Sequence, residues 1–200
     1  IRQVAEGLHY LHKTGFVHGD IKCVRFLVMQ ENVLVDPDGN AVIADFGLST
    51  PVYSEDAPTA TFIRERKTVK FSAPELFVDE AVDYGITLRV RSKTRMSDVY
   101  AFGALIYQVY SGSPPWHGLN DRGVLLRVCR GERPDRPPHP HLMDEIWDLC
   151  RRCWKHIPGD RPFMFFVLLE LTAVRPSTRM RGRHLTLSLS LWTSQKNSQH

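Results

Sequence analysis

Side chains that could hold a metal ion or move a proton are concentrated between residues 16 and 50. The set comprises His18, Asp20, Lys22, Asn32 and Asp45. Carboxylate and amide oxygens are ligands that Mg2+ accepts, and a carboxylate can also take a proton from a hydroxyl group. A lysine beside them can neutralise phosphate charge. The residue types therefore indicate a site that could hold a metal-bound phosphate.

Two short apolar runs must position these side chains. Residues 32–35 and 41–44 are rich in β-branched and apolar residues, and the turn sequence DPDGN at 36–40 joins them. This combination predicts a β-hairpin. Such a hairpin would fix the distance between Asn32 at its start and Asp45 at its end.

Helical patterns surround the hairpin. The first residues place an apolar stripe on one helix face, and Gly15 follows as a terminator; the stripe is Ile1, Val4, Ala5, Leu8 and Leu11. Ser97 and Asp98 are predicted to cap a buried helix that ends at Gly112. Its predicted inward residues are Val99, Phe102, Leu105, Ile106 and Val109. Further helices are predicted from Asn120 or Asp121 to about 130, and around 142–154 and 163–174.

The ordered set of motifs resembles that of eukaryotic protein kinases. In chain order the motifs are HGDxK, ENVLV, ADFG, SAPE, SDVYAFG, GxPPW and GDRP. The resemblance implies a mainly α fold with short β-hairpins, which is the large lobe of a kinase without its N-terminal β-rich lobe. It covers residues 1–174, whereas residues 175–200 form a basic, Ser/Thr-rich tail that is predicted to be disordered.

The resemblance also implies a role for each residue of the site. Asp20 would accept the proton of the substrate hydroxyl, and Lys22 would neutralise the transferred phosphate. Asn32 and Asp45 would hold Mg2+, and Leu34 would contact the nucleotide. The implied cofactors are ATP and Mg2+.

Other positions match residues that position the substrate or support the site in the family. Thr68 would lie beside the acceptor hydroxyl, and His18 would pack with Phe46 beneath the site. The remaining support residues are Glu75 and Arg161, as a buried ion pair, and Asp98, as a brace for the loop at 18–20.

The chain departs from the family pattern in three ways. Gly19 replaces the arginine of H-R-D, which removes one cation that could receive a phosphorylated loop. Asp20 and Asn32 are twelve positions apart instead of five, so seven residues, Val24–Gln30, are surplus. These seven residues are either an error of the gene model or a real insertion. A real insertion would push Asn32 off its metal unless the inserted residues loop out. No Gly-rich loop or strand lysine precedes Asp20.

Two functions follow as alternatives. In the first, the chain is part of a serine/threonine kinase of the tyrosine-kinase-like group, which transfers the γ-phosphate of ATP to a protein hydroxyl; Lys22 and Thr68 favour this substrate class. An N-terminal lobe or regulatory segment is then expected upstream. In the second, it is an inactive, pseudokinase-like scaffold that binds protein partners near residues 112–140.

Charge and cysteine content exclude several other classes. The net charge is +4, yet the tail holds five of the 26 basic residues and none of the 22 acidic ones, so no nucleic-acid partner is expected. No apolar run is long enough to span a membrane. Cys150 and Cys153 lie three positions apart on one helix face, which favours core packing over a zinc or redox site. Reduced thiols and a chain start without signal-peptide features predict a cytoplasmic protein.

Overall fold

A computed structural model describes residues 1–22, 32–45, 49–51, 69–77 and 93–174. In these ranges the chain forms five helices and four short strands. The helices are α1 (Arg2–Lys13), α2 (Arg95–Ser111), α3 (Asp121–Cys129), α4 (Asp144–Cys153) and α5 (Met164–Ala173). The strands are β1 (Phe16–Val17), β2 (Val33–Val35), β3 (Ala41–Ile43) and β4 (Thr50–Pro51). The described part of the fold is therefore mainly helical.

The predicted hairpin is confirmed. Strands β2 and β3 pair antiparallel, with Val33 opposite Ile43 and Val35 opposite Ala41. The turn closes when Asp36 Oδ1 accepts a hydrogen bond from the Asn40 amide at 2.7 Å, and this backbone bond lowers the pKa of Asp36. A second antiparallel pair, β1 with β4, has no counterpart among the predictions from sequence.

Helix α1 holds the hairpin in place. Gln3 Oε1 accepts from the Ala41 amide at 2.9 Å, and Gln3 Nε2 donates to Asn40 Oδ1 at 2.8 Å. The buried residues of α1 include Val4, Ala5 and Leu8, as the stripe predicts. The helix therefore fixes both the core beneath it and the hairpin that carries the candidate site.

Helix α2 is the buried axis, but two predictions about it are wrong. Its N-cap is Thr94, whose Oγ1 accepts from the Ser97 amide at 3.1 Å, while Ser97 Oγ accepts from the Thr94 amide at 2.9 Å. This reciprocal capping box leaves Asp98 inside the first turn. Val109 lies 48% exposed, because it falls on the outer side of the last turns. Gly112 ends the helix in the left-handed conformation with φ 71°.

The remaining helices enclose the core around α2. Helix α4 packs against α2, and α5 packs against α1. Asn120 caps α3, since its Oδ1 accepts from the Gly123 amide at 2.8 Å. The observed bounds of α3, α4 and α5 confirm the three predicted helices. None of the helices in the described ranges combines the length and apolar character that crossing a bilayer requires.

Candidate active site

Asp98, in the first turn of α2, is the anchor of the candidate site. Its Oδ2 accepts from the His18 amide and its Oδ1 accepts from the Gly19 amide, each at 2.8 Å. His12 Nε2 on α1 lies 2.9 Å from Oδ2. The helix N-terminus also favours a carboxylate at this position. These contacts clamp the loop backbone at His18 and Gly19, and the φ of 78° at Gly19 suits glycine.

His18 connects this loop to the end of β3. The His18 ring is fully buried. Its Nδ1 accepts from the Asp20 amide at 3.3 Å, and its Nε2 lies 3.2 Å from the Ala44 carbonyl oxygen. Both contacts are satisfied when Nε2 carries the ring proton. Phe46, its predicted packing partner, lies outside the described residues.

Asp20, Lys22 and Asn32 converge at the centre of the site. Lys22 Nζ lies 2.6 Å from Asp20 Oδ2. Asn32 Nδ2 donates to the same oxygen at 2.6 Å and to the Asp20 carbonyl oxygen at 2.5 Å. Asp20 is 4% exposed and Asn32 is fully buried. A buried carboxylate requires such donors, because burial without them is costly.

Two oxygen atoms in this cluster have no hydrogen-bond partner among the described residues. They are Asp20 Oδ1 and Asn32 Oδ1, both buried. Native structures satisfy most buried polar atoms, so an unsatisfied pair indicates a missing binding partner. A hydroxyl group or a hard cation such as Mg2+ would satisfy oxygen atoms of this kind. The residues present therefore fit a metal-bound phosphate.

The long spacing between Asp20 and Asn32 does not separate their side chains. Asn32 is held by the hairpin, because its carbonyl oxygen accepts from the Ala44 amide at 2.8 Å. The side-chain amide of Asn32 donates to the Asp20 carbonyl oxygen. Val24–Gln30, the surplus residues, lie outside the described residues. Asn32 therefore contacts Asp20 despite the twelve-position spacing, and the statement that a real insertion would push Asn32 off its metal unless it loops out stays a prediction.

Leu34 lies in the middle of β2, and Asp45 follows the end of β3. Asp45 directly follows Ala44, is exposed, and has φ 58°, a conformation that Asp tolerates better than most residues. Leu34 is 49% exposed and lies opposite Val42, which is 50% exposed. The two side chains form an exposed apolar pair on the hairpin. Sequence reasoning missed Val42, although its register opposite Leu34 follows from the hairpin turn.

Glu75 and Arg161 form a bidentate ion pair away from the polar cluster. Arg161 Nη1 and Nη2 each lie 2.7 Å from a different oxygen of Glu75. Arg161 also donates to the carbonyl oxygens of Met96 and Lys155, each at 2.8 Å. Its guanidinium lies 5.1 Å from the Tyr100 ring, where burial raises the pKa of the tyrosine to about 12. Arg161 therefore joins the segment at 73–77 to α2.

A small cavity of about 30 Å3 adjoins Asp20. Its lining includes Gly19, Phe71, Ser72, Lys93 and Asp98. A space of this size holds about one water molecule. Lys93 is a residue that sequence reasoning missed, since no motif includes it. Thr68, the predicted substrate-positioning residue, precedes this lining and lies outside the described residues.

Cys150 and Cys153 belong to the core. Both are fully buried, and Cys150 Sγ donates to the Gly103 carbonyl oxygen at 3.3 Å. Burial raises the pKa of Cys150, and raises that of Cys153 to about 12. Both side chains are therefore thiols rather than thiolates at neutral pH. Among the described residues, no group of three or more His, Cys, Asp and Glu side chains could hold a metal ion.

Comparisons with known proteins identify the family of this chain. The family model described as "Protein tyrosine and serine/threonine kinase" matches residues 1–171. Tyrosine-protein kinase receptor TYRO3 of Gallus gallus is 29% identical over 94% of this chain, and tyrosine-protein kinase Srms of Mus musculus is 33% identical over 93%. A light-sensor protein kinase of Ceratodon purpureus is 32% identical over 86%.

The matched region is only part of each relative. The chain spans 18% of the length of the TYRO3 protein, 32% of Srms and 13% of the light-sensor kinase. The family match nevertheless extends over most of the chain and includes every motif of the candidate site. This chain therefore belongs to the eukaryotic protein kinase family and is a partial kinase domain.

Proposed function

We propose that this chain is the large lobe of an ATP- and Mg2+-dependent protein kinase. The observation that carries the proposal is the contact between Asp20 and Asn32. In the part of the chain that the structure describes, one oxygen of each side chain is buried and has no hydrogen-bond partner. A proton acceptor and a metal ligand side by side are what transfer of a phosphoryl group to a hydroxyl requires.

Each polar residue then has one task. Asp20 orients the substrate hydroxyl and takes its proton, since no other described residue bonds to its Oδ1. Lys22, held 2.6 Å from Asp20 Oδ2, supplies positive charge beside the transferred group. Asn32 and Asp45 would hold Mg2+, which neutralises charge on the phosphates when bound. Leu34 and Val42 offer an apolar edge for the nucleotide base.

We infer that the acceptor is a serine or threonine hydroxyl of a protein. Lys22 supports this, because a lysine two positions after the catalytic aspartate resembles the serine/threonine pattern. Two of the relatives, TYRO3 and Srms, are named as tyrosine-protein kinases, so the acceptor class needs its own test. Phosphoserine or phosphothreonine in hydrolysed product supports the inference. Phosphotyrosine alone would overturn it and leave the proposed site intact.

The proposed setting is a longer protein in the cytoplasm. The relatives are much longer than this chain, which supports an N-terminal lobe upstream that completes the nucleotide cleft. The free, buried thiols of Cys150 and Cys153 suit a reducing compartment.

A scaffold without catalysis is the second candidate. A cleft of about 460 Å3 lies between residues 131 and 156, far along the chain from Asp20. Arg151 and Lys155 line it and are exposed. A partner with acidic side chains could bind there with no contribution from the candidate active site.

Nucleotide-dependent thermal stability separates the two candidates. In the protein with its upstream lobe, ATP with Mg2+ should raise the unfolding temperature, and Asp45→Ala should abolish that shift. Asp38→Ala, an exposed carboxylate in the hairpin turn, is the matched control and should retain it. A wild-type protein that shows no shift with ATP and Mg2+ would favour the scaffold.

A further inference from the structure

The outer face of α5 is apolar where a surface helix is normally polar. Phe165, Phe166 and Leu169 are 53%, 51% and 58% exposed, and Phe163 at the N-cap is 59% exposed. Phe165 and Phe166 follow each other, and Leu169 lies one turn later, so the three share a stripe on the helix. We call these four residues the α5 outer face. A helix that is apolar on all sides is normally buried.

The opposite side of α5 already contacts the core. Met164, Val167 and Leu171 are buried there, and α1 packs against the helix. The rings of Phe165 and Phe166 lie 5.3 Å apart, edge to face, and the His9 ring of α1 lies 5.8 Å from Phe165. The α5 outer face is therefore additional apolar surface, about half of which stays exposed among the described residues. Contiguous patches of this kind mark binding surfaces.

We propose that the chain's own segment 185–192 docks on the α5 outer face. The described chain ends at Val174, directly after α5. Ten residues then separate it from the sequence LTLSLSLW at 185–192. Leu185, Leu187, Leu189 and Leu191 alternate with hydroxyl residues, so an extended segment presents all four leucines on one side.

The connection has a suitable length. A flexible linker of ten residues has a root-mean-square span of about 15–20 Å. Helix α5, with ten residues, is about 15 Å long. A tether whose span matches the distance to its site gives an effective concentration in the millimolar range. Weak apolar contacts therefore suffice for docking within one chain.

Charge also favours the tail over an arbitrary apolar ligand. The linker carries Arg175, Arg179, Arg181 and Arg183 and has no acidic residue. The charged arginine side chains keep the linker at 175–184 in water. Burial of apolar surface therefore favours docking of 185–192 and not of the linker. Anionic membranes would attract the same arginines, and a second copy of the chain could cover the same face. The experiment below distinguishes these occupants.

Photo-crosslinking of the full chain tests the proposal. A benzoyl-phenylalanine at position 166 should crosslink to the peptide that contains residues 185–192 of the same chain. The matched control is the same group at Val109, which is 48% exposed on α2, and it should give no such product. A crosslinked dimer would assign the face to a second copy. Absence of any product with 185–192 would overturn the proposal.

Amide hydrogen exchange gives an independent measurement with milder variants. Docking should slow exchange at 185–192 about tenfold relative to the unfolded chain. Phe165→Ser with Phe166→Ser should remove this protection, as should Leu187→Ser with Leu189→Ser, whereas Val109→Ser should leave it unchanged. Exchange at the unfolded rate in the wild-type chain would overturn the proposal. Protection that appears only when phosphatidylserine vesicles are added would also overturn the proposal, because the α5 outer face would then bind a membrane.

Discussion

Asp20 and Asn32 show how much chemistry individual residues convey. Their types predict a proton acceptor and a metal ligand, and the structure brings them within hydrogen-bond distance across twelve positions of sequence. His12 and Lys93 carried no such signal, because their contacts depend on how distant segments pack. Gly19 was visible as a departure from the family pattern, and the resemblance implied that Asp98 braces this loop, but the positive φ of Gly19 could not be read from the sequence.

The two buried cysteines allow a prediction at the same scale. Because burial raises the pKa of both Cys150 and Cys153, neither should react as a thiolate in the folded protein at neutral pH. Their alkylation by iodoacetamide should be at least ~100-fold slower than after unfolding. Half-buried Cys129 provides an internal comparison in the same mass spectrum. Rapid modification of Cys150 or Cys153 would contradict their placement in the core.

Among the elements, α2 shows where sequence patterns succeed and where they fail. Its apolar content and Gly112 predict a buried helix and its end. The cap was assigned one turn late, because Thr94 and Ser97 are both good cap residues and only their reciprocal bonds identify the first of them. The prediction that Val109 points inward was also wrong. A helix that is buried on nearly all sides has little hydrophobic periodicity from which the inward face could be identified.

Close packing between α2 and α4 gives a sharp prediction. A Cβ atom at Gly103 would lie 2.5 Å from Trp154 Cδ1 and 3.0 Å from Cys153 Cβ. Gly103→Ala should therefore lower the free energy of unfolding by about 1–3 kcal/mol, despite the higher helix propensity of alanine. Gly159→Ala, where a Cβ meets nothing within 4 Å, should have little effect in the same denaturant titration. A stabilised Gly103→Ala variant would refute the packing described here.

An ion pair between α4 and α5 predicts a pH dependence. Arg152 Nη1 donates to Glu170 Oε1 at 2.8 Å, and a second bond joins Nη2 to Oε2. These bonds lower the pKa of Glu170 below its ordinary value of 4.5. The pair's stabilisation is thus present above that value and lost as pH falls through the lower, folded-state pKa. The pair is partly exposed, so we expect about 0.5–1 kcal/mol at neutral pH.

Glu170→Gln tests this expectation by chemical denaturation. The variant should be less stable than wild type at pH 7, and the difference should shrink towards zero as the solution is acidified below the ordinary pKa of glutamate. Asp38→Asn, in the exposed hairpin turn, should not reproduce the effect. A difference in stability that stays constant from neutral to acidic pH would assign it to packing instead.

For the whole molecule, long-range polar contacts decide how the segments are arranged. Arg161 and Glu75 are 86 positions apart, and no periodicity in the sequence connects them. Their pairing was expected only from the resemblance to protein kinases. The exposed α5 outer face was missed, because a helix with so many apolar residues predicts burial on most of its sides. Hydrophobic periodicity and turn residues thus predict the helices and the hairpin. How these elements pack together could be inferred only from the resemblance to protein kinases or from the structure.

Arg161 should be essential for the stability of that arrangement. Its side chain is fully buried and binds Glu75 in a bidentate manner, so Arg161→Ala leaves a carboxylate without its partner. We expect a loss of about 3–5 kcal/mol in the free energy of unfolding. Arg122→Ala on the exposed side of α3 should change it by less than about 0.5 kcal/mol. Equal effects of the two substitutions would show that the pair does not join the segments.

Phosphoryl transfer by an Asn32 variant tests the central claim most directly. The claim is that Asn32 and Asp20 form one working site despite the surplus residues between them. In the protein with its upstream lobe, Asn32→Ala should lower kcat at least ~100-fold and raise the Mg2+ concentration needed for activity. Asp38→Asn should leave both unchanged. Wild-type kcat and Mg2+ dependence in Asn32→Ala would contradict the account.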